Sequence, residues 1–150
     1  MNIRNATIED KDFVVSSNDY VNQISGIKTQ SQLSVNFEKD ILSDNPKGFC
    51  LIVEENKEQI AFCLYSYLYW ANKGQGVYLS NVFVKPEHRK KGVLKEILSY
   101  IKNLDNVNFI TMLVGNENES MQKTLVGYGA EDIDMKTFYL KRRWKDDLFC

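Results

Sequence analysis

A basic loop before an amphipathic segment contains the residue types that could bind an anion. The cations of residues 89–91 follow an apolar run that ends at Val84 and precede a helical pattern that begins at Val93. Where a loop enters a helix, the first backbone N–H groups have no intrahelical acceptor, and the helix dipole adds positive charge. Gly92 lacks a side chain where a diphosphate would approach the backbone. The pattern predicts a site for a pyrophosphate-bearing coenzyme.

An ordinary solvated turn is the alternative for this loop, because most charged runs simply face water. The sequence contains neither the GxxxxGK[ST] of phosphate-binding NTPases nor the GxGxxG of dinucleotide folds. The choice therefore depends on the pattern around the loop.

The elements that would position this loop follow from hydrophobic periodicity. A short strand is expected before Thr7, and the spacing of Thr7 and Asp10 is that of a capping box at a helix start. A second short helix is expected to end near Pro46. Residues 49–53, 60–69 and 77–84 predict an antiparallel meander of strands. The remaining expected elements are a helix at 93–102, a strand at 107–114, a helix at 120–128 ended by Gly129, and a last strand around 137–140.

Length and composition bound the class of protein. With 150 residues and 43% hydrophobic content, residues 1–150 fit a single domain. A net charge of −1 with mixed signs gives no field for nucleic acid or an anionic membrane. No apolar run approaches the roughly 20 residues of a membrane span, and the N-terminus has no apolar signal core. The three cysteines are far apart, which supports neither disulfides nor a metal site. We expect a cytoplasmic protein.

The loop resembles the central motif of the GNAT superfamily of acetyltransferases. That motif is a strand ending in V-x-P, followed by x-x-[RQ]-x-x-G-x-[GA] at the start of a helix. Val84, Pro86, Arg89 and Gly92 match it, whereas Leu94 replaces the final small residue.

A second family pattern, N-x-x-A-x-x-x-Y-x-x-x-G-[FA], is similar to the segment downstream. Asn118, Gly129 and Ala130 are in register with it, and Met121 takes the alanine place. Within the superfamily the chain looks most like the diamine and spermidine/spermine acetyltransferases. Segments that carry this likeness include residues 38–42, 77–79 and 129–132.

The resemblance implies a mixed α+β fold, the GNAT acyl-CoA N-acyltransferase fold. Its central sheet would have six to seven mostly antiparallel strands, splayed between those ending at Val84 and Val114, and about four flanking helices. Acetyl-CoA would be the co-substrate, with its pantetheine arm along the splayed strand and its pyrophosphate at the loop. The implied coenzyme-binding residues are Val82, Phe83, Val84, Arg89, Lys90, Lys91, Gly92, Val93, Leu94, Lys95, Asn118 and Met121.

Acetyl transfer to an amine requires a neutral nucleophile and an acid for the departing thiolate. Deprotonating an alkyl amine at pH 7 costs roughly 4–5 kcal/mol. The tyrosine that commonly serves as acid in the resembling family is replaced by Leu125, and Tyr128, on about the same helical face, is the substitute candidate. Packing at a helix end is the alternative role for Tyr128.

The acidic pair of the polyamine-acetylating relatives is replaced here by Ser80 and Asn81. Neither is a strong base, so Ser80 is a weak catalytic candidate and a polyamine acceptor is disfavoured. Other carboxylates could contribute, although solvated surface acids are the simpler interpretation. These are Glu38, Asp40, Glu54 and Glu55.

Three further features favour structural roles. His88 is the single histidine and lies in the charged loop, so we expect it to be exposed. Cys63 lies in an apolar strand and is expected to be a buried, inert thiol. Aromatic residues alternate at 65–70, where they could pack in the sheet, line an acceptor pocket or form a dimer contact.

The leading hypothesis is an acetyl-CoA-dependent N-acetyltransferase that acts on a primary amine of a small molecule or peptide. A sensor or interaction module that binds acyl-CoA without efficient catalysis is the alternative, supported by Leu94, Leu125 and Ser80. Acetylation of charged tRNA is a third idea, based on the basic cluster at 141–145, but two acids follow it and no nucleic-acid or membrane partner is expected. Dimers are common among the resembling enzymes, so a homodimer is an open option.

Overall fold

The computed structural model describes residues 1–27 and 31–140. The chain forms two compact units, Met1–Leu113 and Val114–Cys150. None of the helices in the described ranges combines the length and the hydrophobicity that crossing a bilayer requires.

The first unit is built on a sheet with strand order β1-β2-β3-β4-β5. The strands are β1 (Asn2–Asn5), β2 (Phe49–Glu55), β3 (Glu58–Trp70), β4 (Gly74–Val84) and β5 (Ile110–Met112). Neighbours from β1 to β4 pair antiparallel, and β5 joins β4 in parallel. The hairpin between β2 and β3 turns through Asn56 and Lys57, both with positive φ, which suits the right-handed twist of the strands.

The described residues form four α-helices. In the first unit α1 (Lys11–Ile24) is followed by the short α2 (Leu33–Asn36), which continues into a π-helical turn at Phe37–Ile41, and later by α3 (Val93–Lys102). The second unit contains α4 (Glu119–Gly127). The prediction for α3 is confirmed to the residue, since Gly92 and Lys102 bound a strongly amphipathic stripe.

The two faces of the sheet bury separate hydrophobic clusters. On one face Leu51, Cys63 and Leu79 pack with Ile97 and Ile101 of α3. On the other face the cluster joins strand residues to α1 and the π-helical turn. Its members are Val14, Phe37, Cys50, Ile52, Phe62 and Phe83. The period of two along each strand sends alternate residues to opposite faces, which explains why the predicted strands are apolar throughout.

A buried aspartate links the first strands to the start of α1. Asp10 is 1% exposed, and its carboxylate accepts hydrogen bonds from Arg4 Nη1 at 2.7 Å and Nη2 at 2.9 Å. It also accepts from the Thr7 backbone N–H at 2.8 Å and from the Gln59 side chain. The bond from the Thr7 N–H to the Asp10 carboxylate is the one that the predicted capping box requires of its acidic residue.

The predicted strand count is wrong, because the described residues contain five strands rather than six to seven. No strand forms at residues 137–140 in the described part of the chain, where Phe138 and Tyr139 are 88% and 84% exposed. Their aromatic composition favours a strand, but a strand also needs a partner for its ladder. The strand expected at 107–114 is limited to Ile110–Met112.

Candidate functional site

The basic loop that follows β4 is held by backbone hydrogen bonds. Lys85 donates its N–H to Ile60 O at 2.9 Å, and a single 3-10 turn follows at Pro86–His88. Lys90 has φ +59° and Gly92 has φ +83°, both in the left-handed region that glycine adopts without strain. A Cβ at Gly92 would face open space, so the backbone at the helix start is accessible from outside.

Unpaired backbone donors collect where this loop enters α3. The first helical hydrogen bond runs from Glu96 N–H to Gly92 O at 3.0 Å. Within the ranges 1–27 and 31–140, the preceding N–H groups have no acceptor. They belong to Lys90, Lys91, Gly92, Val93, Leu94 and Lys95. Such donors at a helix N-terminus suit an anion, of which a diphosphate is one.

The three cations of the loop have different surroundings. Arg89 Nε donates to Val84 O at 2.9 Å, so this side chain ties the loop back to the end of β4. Lys90 and Lys91 are exposed and take no part in the ion pairs of the described residues. Their charges therefore remain available to an anion at the helix start.

The edge of β4 beyond residue 79 is open on the β5 side. β5 pairs with Val77–Leu79 only, and no described residue of β5 lies opposite positions 80–84. Because the Lys85 N–H points to β3, the backbone groups of Val84 and Val82 point to the open edge. Phe83 points into the core, where it is 8% exposed and its ring stacks 6.0 Å from that of Phe62. Pairing between β4 and β5 therefore ends at Leu79, while the splay itself stays a prediction.

A β-bulge interrupts β4 before the open edge. Leu64 of β3 lies opposite Asn81, whereas its neighbour Tyr65 lies opposite Leu79, so Ser80 is the extra residue. A bulge breaks the alternation of sides, and here the consecutive residues Ser80 and Asn81 both line the same cavity. Ser80 Oγ donates to Leu64 O at 3.1 Å.

A cavity of about 530 Å³ lies on the face of the sheet that carries α1 and α2. Its described lining is rich in neutral polar side chains, and its charged members are Asp40 and Lys47. The amides in the lining are those of Asn18, Asn22, Gln32, Asn36 and Asn81. Such a lining can hydrogen-bond a small polar molecule, and its one carboxylate and one ammonium balance in charge.

Asn18 is a buried polar residue that sequence reasoning missed. It is 7% exposed, its Oδ1 accepts from Asn81 Nδ2 at 3.2 Å, and its Nδ2 donates to Ser31 Oγ at 3.3 Å. The available signal was an amide residue on the apolar stripe of α1, between Val14 and Val21. It ties α1, the segment before α2 and the bulge of β4 together.

The candidate carboxylates are distributed over different surroundings. Glu38 pairs with Lys11 Nζ at 2.8 Å, and Glu54 with Arg4 Nη2 at 2.6 Å. Hydrogen bonding from the Arg4 guanidinium lowers the pKa of Glu54. Asp40 differs, since it lines the cavity.

The expected exposure of His88 is wrong. Its side chain is 17% exposed, and Nδ1 lies 3.5 Å from Glu55 Oε2 at the end of β2, a contact made across a long stretch of sequence. Its ring also lies near the carboxylates of Glu58 and Glu87, whose ligand-type atoms are within 4.8 Å of one another and of the ring nitrogen. Glu58 is already paired with Lys85 Nζ at 2.6 Å, so this group is explained by surface ion pairs.

The remaining reactive side chains have structural surroundings. Burial raises the pKa of the Cys50 thiol to about 12 and raises that of Cys63 further, so both thiols are inert, as predicted for Cys63. Tyr65 is 5% exposed and stacks on Phe49, with ring centroids 5.2 Å apart, and burial raises its pKa. Tyr69, at 74% exposure, lies outside this packing.

The second unit contains the other predicted site residues. Asn118 caps α4, because its Oδ1 accepts from Met121 N–H at 3.2 Å. Leu125 is buried, and Tyr128, at the C-terminal cap, is 47% exposed. Their roles toward coenzyme and thiolate stay predictions.

The predicted glycine stop of α4 is confirmed. Gly129 has φ +91°, and Ala130 N–H bonds to Leu125 O at 2.9 Å, as in a Schellman motif. The basic cluster predicted at 141–145 lies outside the described residues.

Comparison with known proteins identifies the family of this chain. The sequence profile of the acetyltransferase (GNAT) family matches residues 16–128. A search of curated proteins finds no significant match. The likeness to diamine acetyltransferases therefore stays a prediction.

Several solved structures share the fold. A possible acetyltransferase from Clostridium difficile 630 is 19% identical, covers 95% of this chain and 98% of its own, and superposes with a TM-score of 0.76. The aminoglycoside N-acetyltransferase AAC(6')-Iy, solved with a bisubstrate analog of CoA and acetylneamine, is 19% identical over 95% of this chain and 98% of its own, with a TM-score of 0.74. A predicted acetyltransferase with acetyl-CoA from Clostridium acetobutylicum is 20% identical, and the match covers 93% of this chain and 95% of its own, with a TM-score of 0.70. The mixed α+β GNAT fold is thus confirmed.

Proposed function

Because this chain belongs to the acetyltransferase (GNAT) family, we propose that it is an acetyl-CoA-dependent N-acetyltransferase that acts on a primary amine. The observation that carries the proposal is the row of unpaired N–H groups at residues 90–95, beside exposed Lys90 and Lys91. These donors and charges match the diphosphate of a CoA ester.

The coenzyme is assigned to the open edge of β4 and the start of α3. The backbone of Val82, which points to that edge, provides one donor and one acceptor for the amides of a pantetheine arm. Residues 90–95 hold the diphosphate, and Arg89 keeps the loop in place through its hydrogen bond to Val84 O. The bound thioester supplies the activated acetyl group, and every other requirement falls on the protein.

The acceptor is assigned to the cavity of about 530 Å³ beside Ser80 and Asn81. A long polyamine carries several positive charges, whereas the described lining contains a single carboxylate, Asp40, opposed by Lys47. We therefore favour a compact polar amine, such as a small molecule or a peptide end, over a polyamine. The bisubstrate analog bound by AAC(6')-Iy supports a small-molecule amine on this fold.

Proton transfer is the chemical step for which this chain must provide groups. The amine nitrogen gives up a proton and forms the new N–C bond, the C–S bond breaks, and the departing sulfur takes up a proton. Asp40, directly or through water, is the candidate to receive the first proton, because it is the carboxylate in the described lining. Tyr128 is proposed to supply the second, on its spacing from position 125 in the family pattern.

Release of free thiol from acetyl-CoA, measured with a panel of amines, tests the proposal. Release that depends on both acetyl-CoA and one class of amine is the expected result. Tight acetyl-CoA binding by calorimetry, without release on any amine, would instead favour the sensor that Leu94, Leu125 and Ser80 suggest. No heat with CoA or acetyl-CoA on folded protein would remove both functions.

A further inference from the structure

We propose that the side-chain carbonyl of Asn81 binds the acceptor amine and that Asn18 holds it in the required orientation. The inference rests on the proposed function, since it concerns the acceptor side of that reaction. Asn81 lines the cavity, and its Nδ2 is engaged by Asn18 Oδ1 at 3.2 Å. Its Oδ1 has no hydrogen-bond donor in the described part of the chain, so that oxygen is available for a ligand.

The orientation of Asn81 is set by a chain of hydrogen bonds that ends in the backbone. Leu33 N–H donates to Ser31 Oγ at 3.2 Å, and Asn18 Nδ2 donates to the same oxygen at 3.3 Å. In this arrangement Asn18 presents its Oδ1 to Asn81, which donates its amide nitrogen. At 7% exposure Asn18 has little water to replace these partners, so losing them would leave its amide groups unpaired.

The bulge places a second oxygen beside the first. Ser80 uses its hydroxyl proton in the bond to Leu64 O, so toward any ligand its Oγ can act only as an acceptor. Consecutive residues on the cavity side thus offer two uncharged acceptors, Ser80 Oγ and Asn81 Oδ1. Uncharged oxygens can accept from the N–H groups of an amine before and after it loses its proton. They align the nitrogen without favouring the ammonium form as a carboxylate would.

Steady-state kinetics with the best acceptor of the panel test the assignment. Asn81→Leu is expected to raise the acceptor KM about tenfold, because the amine loses a hydrogen-bond partner in a partly desolvated site. Calorimetric affinity for acetyl-CoA should stay unchanged, since the diphosphate donors lie at residues 90–95. Asn18→Leu should reproduce the rise, and the double variant should add little to either single change, as expected for residues that act as a unit.

Asn18→Asp tests the orientation itself. A carboxylate can only accept, so Asn81 would still have to donate its nitrogen and expose its oxygen. The acceptor KM is then expected to stay within about threefold of the wild type, unlike that of Asn18→Leu. If the acceptor KM rose as much as in Asn18→Leu, Asn18 would instead hold Asn81 in the opposite orientation or contribute only packing.

Ser16→Ala, on the exposed side of α1, is the matched control and should leave all constants unchanged. Thermal unfolding is recorded for each variant, and if Asn18→Leu fails to fold, Asn81→Leu and Asn18→Asp decide the question. An active wild type with an unchanged acceptor KM in Asn81→Leu overturns this inference alone. A wild type inactive on every amine overturns the proposed function instead.

Discussion

Gly92 combines a left-handed backbone conformation with an open position at the start of α3. Its φ of +83° favours glycine on conformational grounds, and its position above the free N–H groups favours glycine on grounds of access. Gly92→Glu adds bulk and a negative charge at the diphosphate site, so we expect acetyl-CoA binding to fall below detection while the fold is kept. Calorimetry with acetyl-CoA, beside circular dichroism, measures both.

Gly26 provides the control for this change. It has φ +69° and open space around its Cα, as Gly92 does, but it follows α1 rather than the coenzyme loop. Gly26→Glu should therefore carry a similar conformational strain and leave acetyl-CoA affinity near the wild-type value. Equal loss of binding in both variants would mean that strain, rather than the diphosphate site, explains the result.

Tyr128 is the proposed proton donor to the departing thiolate. The residue is half-exposed at the C-terminal cap of α4, where removing one oxygen should not affect folding. Tyr128→Phe is expected to lower kcat about 10- to 100-fold, with a smaller effect on the acceptor KM, if the hydroxyl gives a proton to the thiolate. Unchanged turnover would remove Tyr128 from the mechanism and leave water as the acid.

At the scale of elements, the Asp10 cluster joins β1, β2 and β3 to the start of α1. Burial alone would raise the pKa of this carboxyl, but hydrogen bonds from Arg4, the Thr7 N–H and Gln59 outweigh it and lower the pKa to about 2. The folded pKa is thus below that of an unfolded aspartate, near 3.9. The stabilisation is complete above about pH 4 and is lost as the pH falls toward 2.

Asp10→Asn is expected to lower the free energy of unfolding by about 1–3 kcal/mol at pH 7. The difference from the wild type should shrink between about pH 4 and pH 2, where the wild-type carboxyl takes up its proton. Urea unfolding at pH 7 and pH 2.5 measures this difference. Asp12→Asn, an exposed change in the first turn of α1, should show no such convergence. A constant difference for Asp10→Asn across the range would contradict the assignment.

The elements that sequence could predict are those fixed by local chemistry. α3 is bounded by Gly92 and Lys102 because its periodicity and its start signal lie in one short stretch. The bulge at Ser80 was beyond sequence reasoning, because the register of a ladder depends on a partner strand at residues 64 and 65. His88 illustrates the same limit, since the carboxylate that its ring contacts belongs to Glu55, far away in the sequence. The loop and the helix that follows it could thus be predicted from the sequence, whereas the cavity beside the bulge could not.

For the molecule as a whole, the nearly balanced charge means that coenzyme binding must depend on charges close to the coenzyme. The net charge of −1 provides no long-range attraction for an anionic coenzyme, so the exposed lysines of the loop must provide it at short range. The family fold could be anticipated from motifs around residues 84–94 and 118–130, whereas the strand number could not. A strand forms only where a neighbouring strand can pair with it. The composition of residues 137–140 does not show whether such a neighbour is present.

Coenzyme binding should also be visible as a change in global stability. A ligand that binds only the folded chain stabilises it by about 2.7 kcal/mol at a concentration of 100 times its Kd. For a chain of this length, that corresponds to a rise in Tm of roughly 5–11 °C. Acetyl-CoA is therefore expected to raise the Tm in a concentration-dependent way in scanning calorimetry. Gly92→Glu should abolish the rise and Gly26→Glu should keep it, because only the first change blocks the donors at the start of α3. An equal rise in both variants would place the coenzyme away from this loop.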